Sequence, residues 1–169
     1  MKKQNIVLIG FMGSGKSLIS RHLAKLLNKK RVSLDDLIEQ KEGRKITEIF
    51  KESGEPYFRQ VESAVIQEIS EKENVVIDCG GGAVINPKNV ENLKAKGVLV
   101  YLSASPEVIL KRVKKDTHRP LLNVENPQEK IKELLEKRKS FYKQADFEVN
   151  TDEITPEEIC REIILFLEK

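Results

Sequence analysis

The chain has 169 residues, 39% hydrophobic and 34% charged, a globular composition long enough for a full apolar core and unlike that of a disordered or fibrous chain. Its 30 basic and 27 acidic residues leave a net charge of +3, too even for the basic face of a nucleic-acid-binding protein. No run nears the roughly 18 apolar residues of a membrane span, and Ile6–Ile9 is too short for a signal peptide. Two cysteines, Cys79 and Cys160, predict a reducing cytoplasm rather than a disulfide framework.

Asn5–Ile9 is nearly all apolar and ends in glycine, the pattern of a buried parallel strand. Leu18, Ile19, Leu23, Leu26 and Leu27 then recur at helical spacing. Val32–Leu34 predicts a second strand. Ile46, Ile49 and Phe50 predict a brief helix, and Phe58, Val61, Val65 and Ile69 a longer one that Pro56 starts. Val75–Ile77, Val98–Leu102 and Phe147–Val149 predict three further strands. Four of the six prolines follow a capping side chain: Asn86-Pro87, Ser105-Pro106, Asn126-Pro127 and Thr155-Pro156. Each predicts a helix start, because proline at the first helical position gives up an N–H that has no partner there. Strands alternating with helices predict an α/β fold, a five-stranded parallel sheet with helices on both faces in three layers. Ligands of such sheets bind at the carboxyl ends of the strands.

Six of the nine glycines fall in two clusters, Gly10/Gly13/Gly15 and Gly80/Gly81/Gly82, each after a predicted strand. Backbone must therefore approach something closely at two places on that edge. The first cluster lies in Gly10-Phe11-Met12-Gly13-Ser14-Gly15-Lys16-Ser17, which matches G-x-x-x-x-G-K-[ST] with a strand before it and a helix after. Backbone N–H groups and the positive helix end suit phosphates. Lys16 would reach the β- and γ-phosphates and the Ser17 hydroxyl would ligate Mg²⁺. A GTP switch also needs an N-K-x-D base reader. Asp78-Cys79-Gly80-Gly81 formally matches D-x-x-G, but Asn28-Lys29-Lys30-Arg31 lacks the final aspartate. A small-molecule kinase is favoured.

With these elements the sequence resembles the shikimate kinase family, in the nucleoside-monophosphate-kinase-like P-loop group. Besides Gly10–Ser17, the matching segments are Asp35 with Ile38-Glu39, Gly43-Arg44, Ile46–Phe50 and Gly54-Glu55. Tyr57-Phe58-Arg59 with Glu62, Gly80–Val84, Arg119-Pro120-Leu121-Leu122, and Arg138 with Tyr142 complete the set. The resemblance implies transfer of the γ-phosphate of ATP to the 3-hydroxyl of shikimate, within aromatic amino-acid biosynthesis through chorismate. It implies a nucleotide site of Gly13, Ser14, Gly15, Lys16, Ser17 and Leu18, with Arg112 and Arg119. It implies an acceptor site of Asp35, Arg59, Gly80, Gly81, Gly82 and Arg138, the two arginines serving the carboxylate. Catalytic work falls to Lys16, Asp35, which orients or deprotonates the attacking hydroxyl, and Arg119. Arg112 is either an adenine-stacking cation or a helix C-terminal charge.

Two departures stand out. The family's Asp-x-Asp after the second strand is here Ser33-Leu34-Asp35, and the third strand ends in Asp78. Asp78 is either a replacement in the shell of Mg²⁺ or a satisfied strand-end acid. At Glu153-Ile154 an adenine-side arginine found in some members is missing. The expectation is therefore one P-loop kinase domain over residues 1–169, with a substrate-binding segment at about 33–62 and a mobile lid at about 114–125. It uses Mg²⁺ with ATP and shikimate, acts as a monomer in the cytoplasm, and has no nucleic-acid or membrane partner. A kinase for gluconate or a nucleoside monophosphate, and a non-catalytic nucleotide switch, are the alternatives.

Overall fold

A computed structural model describes residues 5–114 and 124–169. Five strands form one sheet: β1 (Asn5–Ile9), β2 (Lys30–Ser33), β3 (Val75–Asp78), β4 (Gly97–Ser103) and β5 (Phe147–Asn150). All pairings are parallel, in the order β2-β3-β1-β4-β5. Every residue of β1 and β3 is buried, as expected for central strands covered on both faces.

Helices α2 (Leu34–Glu42), α3 (Ile46–Ser70) and α4 (Pro87–Lys96) cover one face. There Leu34, Ile38, Ile49, Ile66 and Leu93 pack on Val7, Ile9, Ile77 and Leu99. Helices α1 (Lys16–Leu26) and α7 (Pro156–Leu167) cover the other, through Ile19, Leu23, Ile159 and Ile163. Each such side chain contributes about 1.5–3 kcal/mol when fully buried. Helices α5 (Pro106–Val113) and α6 (Pro127–Tyr142) close over the phosphate loop through Phe11, Ile109, Val113 and Ile131. No helix among the described residues is long and apolar enough to cross a membrane.

The four proline helix starts form as expected. The side chains of Asn86, Ser105, Asn126 and Thr155 accept backbone N–H groups at the entrances of α4, α5, α6 and α7. Two expectations shift. Leu34 is the first residue of α2 rather than the end of β2, because Ser33 caps the helix by accepting from Asp36 N. The two helices expected on either side of Pro56 run as one element, bent at Gly54, whose φ of 82° and ψ of 170° are not helical.

Candidate active site

Both glycine clusters follow strand ends on the same edge of the sheet. After β1 the chain turns through Gly13 (φ 76°) and Gly15 (φ 97°), then enters α1 at Lys16. A Cβ at Gly15 would meet nothing within 4 Å, so its left-handed backbone, and not space, demands glycine. Lys16 Nζ donates to the carbonyls of Gly10 at 2.8 Å and Phe11 at 2.9 Å. The ammonium thus lies against the carbonyls at the start of the loop. Ser17 and exposed Leu18 border the same cleft with Met12, Ser33, Asp35, Asp78 and Gly81. Ser14 Oγ is buried beneath the loop and has no hydrogen-bond partner among the described residues.

Beside the loop, the second cluster shows why three glycines occur together. None of the three has a positive φ. Each instead leaves room for a different side chain. A Cβ on Gly80 would lie 3.2 Å from Asp35 Oδ1, and one on Gly81 3.3 Å from Arg138 Nη1. On Gly82 it would lie 2.5 Å from both terminal nitrogens of Arg59. The turn is therefore the floor on which Asp35, Arg138 and Arg59 converge, three residues from α2, α6 and α3.

Each of these side chains is held from behind. Arg59 Nη1 donates to Glu62 at 2.8 Å and Nη2 to Glu55 at 3.2 Å. Burial works against the Arg59 charge, but the two carboxylates outweigh it and raise its pKa. At Glu62, 1% exposed, burial outweighs the pairing and pushes the carboxyl up. The Arg138 guanidinium lies over the Phe11 ring, 5.5 Å from its centre. Tyr142 donates its hydroxyl to Gly81 O at 2.8 Å, which pins the glycine turn from α6. Burial, and next the nearby Asp78, raise the Asp35 pKa against the pull of Lys16.

Asp78 ends β3 with its carboxylate paired to Arg31 at 2.6 Å. The ion pair is what the satisfied strand-end acid would show, and Asp78 also borders the cleft with Ser17. Among the described residues no group of three or more His, Cys, Asp and Glu gathers a metal by itself. A hydroxyl and carboxylates around one phosphate loop suit a hard, hydrated dication that takes its other ligands from phosphate and water. Arg112 bridges three segments. Its Nη1 donates to Gly13 O at 3.2 Å and Thr151 Oγ1 at 3.0 Å, and its Nη2 to Thr151 O at 2.8 Å. It thereby ties α5 to the phosphate loop and to the turn after β5. Arg119 and most of the lid segment lie outside the described residues.

Glu62 and Tyr142 support the site and stand among the segments that match the family, though without an assigned function there; Thr151 supports it and was not singled out. Only Glu62 left a local trace, three residues after Arg59 on one helix face. The other two act through pairs distant in sequence.

The family model described as shikimate kinase matches residues 12–168. A shikimate kinase of Thermodesulfovibrio yellowstonii is 48% identical, covering 95% of this chain and 93% of its own length. One from Caldanaerobacter subterraneus is 44% identical, covering 95% and 94%. The solved shikimate kinase of Acinetobacter baumannii in complex with shikimate superposes with a TM-score of 0.92 at 38% identity. That match covers 97% of this chain and 92% of the other.

Proposed function

The chain belongs to the shikimate kinase family and catalyses ATP-dependent phosphorylation of shikimate, and from that premise we propose how its residues divide the work. It acts as one P-loop kinase domain spanning residues 1–169. Its acceptor segment is about 33–62 and its lid about 114–125. The observation that carries the division is the convergence of Asp35, Arg59 and Arg138 on the glycine turn, next to the phosphate loop that Lys16 spans.

Arg59 and Arg138 bind the acceptor carboxylate, each offering parallel N–H donors to a planar anion. Glu62 and Glu55 fix the Arg59 fork, and Phe11 supports the Arg138 fork from below. Asp35 accepts a hydrogen bond from the 3-hydroxyl and so aims its oxygen at the γ-phosphorus. As the new P–O bond forms and the bond to the β-phosphate oxygen breaks, Asp35 takes the hydroxyl proton. Its raised pKa suits that role better than an ordinary carboxylate would. Gly13, Ser14, Gly15, Ser17 and Leu18 cradle ATP. Lys16, with Arg119 arriving from the lid, stabilises the charge on the transferring group and helps exclude water. Arg112 fixes the adenine end through its hold on Thr151. The Ser17 hydroxyl would hold Mg²⁺, which would screen the charge of the phosphates. The protein acts as a monomer. Two buried free thiols, Cys79 and Cys160, suit a reducing cytoplasm.

The test is ADP release coupled to NADH oxidation, with shikimate, gluconate and nucleoside monophosphates as acceptors. Turnover with shikimate alone is expected. Arg59→Lys should raise the KM for shikimate about tenfold or more, since an ammonium cannot reproduce the fork, and leave the KM for ATP near wild type. A preference for another acceptor would overturn the assignment.

A further inference from the structure

In the parallel pairing of β2 and β3, Ser33 and Asp78 are direct partners. Partners on adjacent parallel strands stand about 4.8 Å apart with side chains on the same face. Positions 33 and 78 are thus two sites at one level of the sheet edge, and both border the cleft with Ser17. Only one of them carries charge. Ser33 is committed to capping α2, through the 3.3 Å contact from Asp36 N. Of the two acids that follow, Asp35 borders the same cleft but lies against Gly80, where the acceptor is proposed to sit, and Asp36 is exposed.

Asp78 is also aimed. Arg31, two residues before Ser33 on β2, donates from Nη2 to Asp78 Oδ2 at 2.6 Å and from Nε to Ser20 Oγ at 2.7 Å. Ser20 Oγ lies 3.4 Å from the same Asp78 oxygen. Ser20 is on α1, one turn after Ser17. One carboxylate oxygen is therefore clamped from β2 and α1, and the group as a whole is only 6% exposed. Arg31 offsets part of this charge, but its hydrogen bond and that of Ser20 both fall on Oδ2, and the carboxylate still borders the phosphate cleft, where a cation shared with the phosphates would offset the remainder.

We propose that Asp78 supplies the carboxylate of the divalent-cation shell beside the nucleotide phosphates, from the strand next to position 33, with Arg31 and Ser20 as its positioning residues. The inference rests on the nucleotide site proposed above. It makes charge at this level of the sheet edge, rather than charge on a given strand, the functional requirement.

The test is binding rather than turnover. Mn²⁺ affinity of the ADP complex is measured by electron paramagnetic resonance, and ADP affinity without metal by calorimetry. For Asp78→Asn, Mn²⁺ affinity should fall about tenfold, the scale for losing an outer partner of a metal. Metal-free ADP should bind as tightly as in wild type or more tightly, because a negative charge has been removed from beside the phosphates. Ser33→Asp/Asp78→Ser should return Mn²⁺ affinity to within about threefold of wild type, since aspartate also caps α2 well. Should Asp78→Asn fold poorly with Arg31 left unpaired, Arg31→Met/Asp78→Asn removes both charges and should show the same two-sided pattern.

Unchanged Mn²⁺ affinity, or an equal loss of ADP binding with and without metal, would make Asp78 a structural ion pair only and end the proposal. A folded swap variant that stays at the Asp78→Asn level would overturn the equivalence of the two strand positions. None of these measurements needs an acceptor. Failure of the wild type to phosphorylate shikimate would therefore count against the acceptor reading alone.

Discussion

Asp35 carries the chemistry most exposed to its surroundings. Burial disfavours its charge, and Asp78 adds a like charge nearby. The acid limb of kcat/KM for shikimate should therefore lie above the ordinary carboxylate value of about 3.9. In Asp78→Asn that limb should move down, because the second cause of the shift is gone; a pH profile of each protein checks this. Gly82 gives a steric counterpart. Gly82→Ala sets a methyl 2.5 Å from the Arg59 guanidinium, which Glu62 and Glu55 restrain on the other side. The KM for shikimate should rise about tenfold, the scale of a misplaced binding group, with the KM for ATP unchanged. Steady-state kinetics with each substrate varied in turn separates the two.

At the scale of elements, the bend in α3 sets where Arg59 points. Gly54 holds φ 82° and ψ 170°, a region essentially reserved for glycine. Gly54→Ala should cost about 1–3 kcal/mol in a urea-unfolding midpoint experiment, with reduced shikimate affinity, since the second arm of α3 carries both Arg59 and Glu62. The local elements were the legible ones. The phosphate loop announces itself because the glycines, Lys16 and Ser17 must be close in sequence to wrap one phosphate. The capped prolines do so because a helix start is decided within four residues. Leu34 misled because an apolar residue after a strand reads as its continuation until Ser33 turns out to cap a helix. The bend at Gly54 reads as a break between helices, since neither glycine nor proline favours helix. The pairs Arg31–Asp78 and Tyr142–Gly81 left no trace, because nothing local couples residues 47 or 61 positions apart.

For the whole molecule, the site has a stability cost that pH reveals. Asp35 and Glu62 both have raised pKa values, so the folded protein holds these protons more tightly than the unfolded chain. Stability then falls as pH rises from the ordinary carboxylate values through the raised ones, and the penalty is fully present above them. Asp35→Asn should raise the Tm of the ligand-free protein at neutral pH. The gain should disappear below about pH 3.9, where the carboxyl is protonated in both states. Thermal unfolding across pH measures it, and a gain that does not depend on pH would point to another cause.

The strand order β2-β3-β1-β4-β5 splits the molecule along β1. Segments after β1, β4 and β5 build the donor side, through the phosphate loop, Arg112 and Thr151. Those after β2 and β3, joined by α3 and α6, build the acceptor side, through Asp35, Arg59, the glycine turn and Arg138. The two inventories meet at Phe11, which supports Arg138, and at Asp78, which borders the phosphate cleft from β3, and are otherwise separate. Mutational drift can therefore explore new acceptors within one half while the other keeps its grip on ATP, much as a tool takes interchangeable heads on one handle. Selection on acceptor choice should accumulate substitutions in α2, α3 and α6 and leave the first helix and its loop nearly still.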